Sequence, residues 1–245
     1  IDYWQGMLSK VRINLPDHRW QQGMIAMLSH AGISMNEGAP DVAVVNYNVF
    51  NRDGMYVANM MQKSGLFDQC PDWVSLQGFF QTEKYFEHIK TKIKEDFSFV
   101  DTIWNPCREM FQFGEVISLH IRRSDYVEKQ SYHPLCPLEY YEVALTKLPQ
   151  DIPVLIFSDD PNWCKKQELF QPDKFLISES NNNLVDMCLM TMCSHHIIAN
   201  SSFSWWGAYL NNNPKKIVCY PGKWFGDKLP NHDISDMCPP TWNKI

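Results

Sequence analysis

From residue 115 onward the apolar positions fall into short runs, separated by stretches in which they recur at helical spacing. The runs at 116–121, 154–157, 175–177, 195–199 and 216–220 read as strands, the last of these closing the series. The stretches at 138–148, 163–170, 184–193 and 203–210 read as helices between them. Strand and helix in alternation is the pattern of a parallel sheet with crossover helices, so an α/β fold is expected. The pattern before residue 115 is weaker: 20–31, 55–63 and 83–94 read as helices and 41–45 as a strand. These elements predict a smaller lobe over residues 1–105 and a Rossmann-like lobe over 106–245. The break is expected between Val100 and Gly114, where Asn105-Pro106 interrupts regular structure.

In open parallel sheets ligands bind outside the carboxyl ends of the strands, which directs attention to the residues just after each run. Those residues are polar. The first run ends in His120-Ile121-Arg122-Arg123-Ser124-Asp125, the second in Ser158-Asp159-Asp160, the fourth in Asn200-Ser201-Ser202-Phe203-Ser204 and the last in Pro221-Gly222-Lys223-Trp224. Adjacent guanidinium groups match phosphate oxygens in pairs, so a phosphate or diphosphate ligand is one reading of Arg122 and Arg123. A strand-end salt bridge is the other. Asn200 to Ser202 stand where a helix begins, and unpaired N–H groups there favour a phosphate. A simple N-cap would use the same residue types.

Composition narrows the class of ligand. A net charge of −6 lacks the broad basic surface that a nucleic acid requires, so nucleic acid is not an expected partner and any anionic ligand must be met locally. An apolar content of 44% is ample for a buried core. No apolar run approaches the roughly 18 residues that span a bilayer. The eight cysteines include no Cys-x-x-Cys pair, which argues for buried free thiols over a zinc ribbon or a redox dithiol. Asn200-Ser201-Ser202 matches an N-glycosylation acceptor, but a glycan there would fill the expected phosphate pocket.

The motifs taken in order resemble glycosyltransferase family 11, the α-1,2-fucosyltransferases. The resemblance rests on His-x-Arg-Arg-x-Asp at 120–125 and Phe157-Ser158-Asp159-Asp160 with Trp163 after it. It continues through Asp186-Met187-x-Leu189-Met190, the run from Ile198 to Ala208, and Gly78-Phe79-Phe80-Gln81-Thr82-Glu83-Lys84-Tyr85-Phe86. It implies a GT-B-like, two-lobed fold and inverting transfer of L-fucose from GDP-fucose to the 2-hydroxyl of a galactose-terminated glycan. GDP-fucose is then a substrate, and no cofactor or metal is implied. By the same resemblance Arg122 meets the β-phosphate, with Arg123 beside it, and His120 helps hold the guanine end. Asp159 or Asp160 accepts hydrogen bonds from guanine or ribose, Ser202, Phe203 and Ser204 close around the phosphates and base, and Asn200 and Ser201 belong to the same donor-binding set.

Metal-dependent sugar transfer commonly uses an Asp-x-Asp tripeptide, which this chain lacks. Asp159 and Asp160, adjacent on an extended segment, are expected to point to opposite faces rather than to share a cation. Asp125 is the first candidate for the base that takes the acceptor proton, and Glu83 the second, while the bland reading of Asp125 is a partner for Arg123 or a turn cap. Trp4, Trp20 and Trp73 offer faces for sugar stacking, and at least one of Trp205 and Trp206 is expected to be buried.

Two departures qualify the resemblance. Ser124 stands where the family usually has glycine, and the glycine-rich Gly-x-Gly-Asn-Gln segment expected near the family's amino terminus has no counterpart. The chain opens at Ile1 rather than Met, consistent with a truncated or processed product. A prokaryotic or viral source implies a cytoplasmic or membrane-peripheral protein, and a eukaryotic one a Golgi-lumenal protein without its anchor. The alternatives are a fucosyltransferase with another acceptor and an inactive nucleotide- or carbohydrate-binding relative.

Overall fold

The computed structural model describes residues 82–111, 114–180, 182–229 and 234–245, together with the short strands at 11–12, 43–45 and 74–76. The chain divides into two compact units, Ile1–Val100 with Asn231–Pro239, and Asp101–Pro230 with Pro240–Ile245. The expected helices at 20–31 and 55–63, and Trp4, Trp20 and Trp73, lie outside the described residues.

In the first unit β1 (Val11–Arg12) pairs antiparallel with β4 (Ser98–Phe99), and β2 (Ala43–Val45) pairs parallel with β3 (Val74–Leu76). The helix expected over 83–94 is broken into two 3-10 turns, Glu83–Tyr85 and Glu87–Ile89, followed by α1 (Lys90–Asp96). Phe86 and Ile89 leave helical geometry, with φ near −135° and ψ between 12° and 18°. Just upstream, Thr82 is buried and donates to the carbonyl of Asp236 at 2.6 Å, so long-range anchoring overrides the local periodicity.

The second unit is built on a six-stranded sheet: β5 (Ile117–Ile121), β6 (Val154–Ser158), β7 (Phe175–Ile177), β8 (His195–Ile197), β9 (Val218–Tyr220) and β10 (Asn243–Lys244). Its order is β10-β9-β8-β5-β6-β7 and every pairing is parallel. Counted from β5 this is 3-2-1-4-5-6, the dinucleotide-fold order, in which the winding reverses between β5 and β8. The chain is therefore α/β, with the parallel Rossmann-type sheet expected of a GT-B-like C-terminal lobe.

β5 is buried along its whole length, as a central parallel strand covered on both faces should be. Ile117, Leu119 and Ile121 join Val154, Ile156, Ile197 and Cys219 in the core that α3 (Leu138–Leu145) covers with Tyr140, Tyr141, Ala144 and Leu145. The alternate positions Ser118, His120 and His196 therefore belong to the other face. There α5 (Asn183–Met192) packs on α6 (Ser202–Leu210) and on α2 (Asp101–Met110). Trp205 is buried, stacked on Tyr209 and next to Trp242.

Several boundaries differ from expectation for identifiable reasons. Asn105-Pro106 does not break the chain, because both residues lie inside α2. Proline there removes one hydrogen bond at a cost of about 3 kcal/mol, which is offset by burying Ile103 and Cys107, the latter with its thiol 3.9 Å from the carbonyl of Val185. The helix expected over 163–170 is only α4 (Pro161–Cys164) followed by a 3-10 turn, Glu168–Phe170. Side-chain amides of Gln167 and Gln171 take the carbonyls of Trp163 and Lys165 that a longer helix would have used. β9 starts at Val218 rather than 216, and the N–H of Ile217 donates to His195 Nδ1 at 3.0 Å instead of joining the ladder. β10, two polar residues with no strand signature, makes β9 an interior strand rather than the last.

Tyr140 ties this scaffold together at its functional edge: its hydroxyl donates to the carbonyl of Ile198 at 2.6 Å and lies 3.2 Å from that of Cys219. Tyr140→Phe leaves a buried carbonyl at the end of β8 without this donor. A loss of about 1–3 kcal/mol is expected from the urea midpoint at unchanged m-value. An unaltered midpoint would show that this bond does not contribute to stability.

Candidate functional site

Because the strands run parallel, the segments after β5, β6, β8 and β9 share one edge of the sheet. The register sets Ile121 against Ser158, Leu119 against Ile197, and Ile197 against Cys219. The segments following β5 and β8 flank the point where the winding reverses, which is where an open sheet of this order forms its ligand crevice.

The arginine pair leaves β5 into the loop that meets the end of β6. Arg122 Nη1 donates to Asp159 Oδ2 at 2.5 Å, and its Nη2 to Asp125 Oδ1 at 2.6 Å. The other oxygen of Asp159 accepts the backbone N–H of Arg123 at 2.8 Å, so one carboxylate grips both arginines. Arg123 turns elsewhere: its Nε donates to Asp160 Oδ2 at 3.2 Å, and its guanidinium lies 4.0 Å from the centre of the Trp163 ring. Asp160 Oδ1 caps α4 by accepting the N–H of Trp163 at 3.0 Å.

The two carboxylates therefore do not diverge as an extended segment would require. The strand ends at Ser158, and both reach back to the arginine pair. Asp125 holds Arg122, not Arg123, with Lys129 Nζ 3.4 Å from its second oxygen. Burial pushes the Asp125 carboxyl up, but the charge of Arg122, with that of Lys129, outweighs it and leaves the group below the usual carboxylate range. Ser124 opens the 3-10 turn Ser124–Tyr126, right-handed backbone that accepts a side chain in place of glycine.

The second group of expected residues lies beneath the rim. His120 is 5% exposed and its Nδ1 lies 2.9 Å from Ser204 Oγ, with the Phe203 ring tilted against it at 5.4 Å. Burial first, and the nearby Arg122 charge second, drop the His120 pKa to about 3, so the imidazole is neutral at physiological pH. Tyr141 donates to the His120 carbonyl at 3.2 Å. The site thus has a charged outer part, Arg122, Arg123, Asp125, Asp159 and Asp160, and a neutral buried part, His120, Phe203 and Ser204.

Asn200 is a staple between loops. Its Nδ2 donates to the carbonyls of Pro134 at 2.9 Å and Trp224 at 3.0 Å, and it is 2% exposed, so the sequon asparagine is spent inside the fold. Ser201 is the N-cap residue of α6 but makes no side-chain cap bond. Ser201 and Ser202 are both half-buried. Tyr126, which sequence reasoning passes over, joins the two sides: its hydroxyl donates to the Asn200 carbonyl at 3.1 Å, and Arg122 lies 5.2 Å from its ring centre. Its other neighbour is His133, stacked at 5.0 Å. The signal available in the sequence was chemical: a tyrosine packed in a fold must find an acceptor for its hydroxyl.

Glu83, the second candidate base, belongs to the first unit. Among the described residues no group of three or more His, Cys, Asp or Glu side chains is arranged to hold a metal ion, and no helix is long and apolar enough to cross a membrane. The described cysteines are all free, buried except for the half-buried Cys136.

The model of glycosyl transferase family 11 matches residues 52–245. The chain is similar to the alpha-1,2-colitosyltransferase of Escherichia coli, with 38% identity over 183 residues, covering 70% of this chain and 62% of that protein. It is similar to the O-antigen biosynthesis glycosyltransferase WbnK of Escherichia coli, with 34% identity over 64% of this chain and 57% of that protein. It is similar to a galactoside 2-alpha-L-fucosyltransferase of Caenorhabditis elegans, with 27% identity over 68% of this chain and 51% of that protein. In each match the chain spans less than two thirds of the relative's length.

The buried neutral His120 carries a pH signature. Above pH 6.5 neither the folded nor the unfolded chain protonates it, whereas between 6.5 and about 3 only the unfolded chain binds the proton. Stability is therefore lost as pH falls through this window, by about 1.4 kcal/mol per pH unit for one such group. His120→Asn keeps a polar partner for Ser204 without titrating. The wild-type advantage over this variant in urea midpoint is expected to shrink from pH 7 to pH 4, and a gap independent of pH would refute the assignment.

Proposed function

Since the chain belongs to glycosyl transferase family 11, we propose that it transfers L-fucose from GDP-fucose to the 2-hydroxyl of a terminal galactoside, with inversion at the anomeric carbon. The observation that carries this reading is the placement of Arg122 at the carboxyl edge beside the winding reversal, fixed by the hydrogen bonds it donates to Asp159 and Asp125. Breaking the bond between sugar and phosphate develops negative charge on the departing GDP. A guanidinium already oriented toward that charge lowers the barrier without reorganising at the moment of reaction. The first turn of α6, from Ser202 onward, supplies backbone N–H groups to the same diphosphate, the N–H of Ser201 being already bonded to the carbonyl of Ala199 at 2.7 Å.

His120, Phe203 and Ser204 act from below in this reading. Held to one another, they fix the seating of α6 against β5 and shape the floor on which the nucleotide rests. The acceptor hydroxyl attacks the anomeric carbon from the face opposite GDP. In a cation-like transition state its proton becomes acidic late, so a weak base suffices, and Asp125 is the candidate. With Arg122 and the α6 N-terminus offsetting the phosphate charge, the reaction needs no divalent cation and no cofactor.

A second reading concerns the sugar. The Escherichia coli relative at 38% identity is an alpha-1,2-colitosyltransferase, which favours a deoxyhexose donor other than fucose as the alternative. GDP release from GDP-fucose and from the corresponding colitose donor, measured with lactose and a galactoside panel and with product linkage determined by NMR, separates the two. GDP binding without turnover on any donor would instead identify an inactive relative.

Arg122→Ala is expected to lower transfer by at least about a hundredfold. Its ion pairs are partly exposed, so stability should change by no more than about 1 kcal/mol. Near-normal turnover in this variant would remove the basis of the proposal. Addition of EDTA is expected to leave the rate unchanged, and a strict requirement for manganese would overturn the metal-free mechanism.

A further inference from the structure

Arg122 is held by two carboxylates that are not equivalent. Asp159 is anchored twice, by Arg122 Nη1 at 2.5 Å and by the backbone N–H of Arg123 at 2.8 Å, and its side chain is 21% exposed. It follows directly on β6, whose last residue is paired with Ile121 of β5, so its position is fixed by the sheet itself. Asp125 sits in a single 3-10 turn with its side chain 42% exposed. It holds Arg122 through one oxygen, and its other oxygen lies 3.4 Å from Lys129 Nζ, on a side chain that is 58% exposed.

Two carboxylates on one guanidinium leave a surplus negative charge at the place where a diphosphate is to bind. Lys129 offsets it only from an exposed position, where water screens it. A phosphate oxygen arriving at Arg122 competes with a carboxylate for the same donors and is repelled by both. Each carboxylate has two ties, but the second tie of Asp159 is a backbone N–H at 2.8 Å, whereas that of Asp125 is the exposed Lys129 side chain at 3.4 Å, which can stay with the carboxylate when it leaves Arg122.

Resting on the reading that Arg122 meets the donor diphosphate, we infer that Asp125 is a place-holder that yields Arg122 Nη2 to the diphosphate, while Asp159 is a positioning residue that keeps Nη1 throughout. In the free protein the place-holder keeps the guanidinium at the rim in a defined orientation. On donor arrival the anion takes over Nη2 and Asp125 passes to Lys129, which leaves its carboxylate free for the acceptor side of the site. The competition lowers the apparent affinity for GDP by the fraction of protein in which Asp125 occupies the guanidinium.

The two carboxylates then have opposite effects on GDP binding, measured by calorimetric titration of GDP into the full chain. Asp125→Asn is expected to bind GDP more tightly, by roughly threefold or more, because the competitor is gone. Asp159→Asn is expected to bind it at least about tenfold more weakly, because the guanidinium loses its fixed partner. Arg122→Ala, run alongside, is expected to weaken GDP binding. If Arg122→Ala weakens binding but Asp125→Asn leaves it unchanged or weaker, the inference fails and the functional reading stands. If Asp159→Asn tightens binding, the assignment of which carboxylate stays is wrong. If Arg122→Ala leaves GDP binding unchanged, the functional reading fails and takes the inference with it. Should Asp159→Asn not fold, the sign of the Asp125→Asn effect decides by itself.

Discussion

One carboxylate, that of Asp159, joins the two central features of the sheet edge: it takes a side-chain N–H of Arg122 and the main-chain N–H of Arg123. An arginine just past the end of a strand has five donors and a long flexible stem, and left alone it samples many positions in water. Here the end of β6 supplies the partner that removes this freedom. β5 and β6 are in register to their last residues, so the spacing between guanidinium and carboxylate is inherited from the sheet ladder. Arg123 is turned away by the same arrangement, clamped between Asp160 and the Trp163 ring, and Asp160 at once caps α4. Two neighbouring arginines of the same type are given different work by the different partners the β6 loop offers them.

The segments after β8 and β9 at the same sheet edge are held by neutral hydrogen bonds. Asn200 ties the loop after β8 to the segments before α3 and after β9, Tyr126 ties it to the arginine loop, and Tyr140 closes the carbonyls at the strand ends. Beneath, His120 and Ser204 hold α6 to β5 at the price of an imidazole that cannot take up a proton in the fold. A charged group in that position would be buried beside Arg122 with no counter-charge of its own, a costlier arrangement than a neutral pair. Charge is thus confined to the partly exposed rim, and the buried layer beneath it is neutral.

The parallel sheet was legible because each strand carries an apolar run and each rim segment a polar cluster. The four clusters do share one edge. What could not be read was set by contacts between distant residues. Pro106 stays inside α2 because Ile103 and Cys107 are buried. The segment after residue 83 breaks into turns next to Thr82, which is anchored 154 residues away. β10 is invisible because two polar residues form a strand only against an existing edge. At the site, residue types suggested a polar rim of charged groups, but not that Asp125 would take Arg122 rather than Arg123, nor that Asn200 would bond loop carbonyls. Those outcomes depend on where side chains end, which spacing in a sequence does not encode.

For the nucleotide-sugar donor proposed above, the overall field of the chain gives no help, since a net charge of −6 repels an anion at long range. In that proposal attraction comes from the last few ångströms, where the oriented Arg122 guanidinium and the first N–H groups of α6 act at short distance. The carboxylates around Arg122 follow from the same requirement. They hold a fixed cation at the rim of the free protein, and in the exchange proposed above only Asp125 gives up its bond to Arg122 while Asp159 keeps its own. On the proposed reading, such a site favours groups that replace a carboxylate's two hydrogen-bonding oxygens with something better, and a diphosphate, with more charge and more oxygens, is such a group.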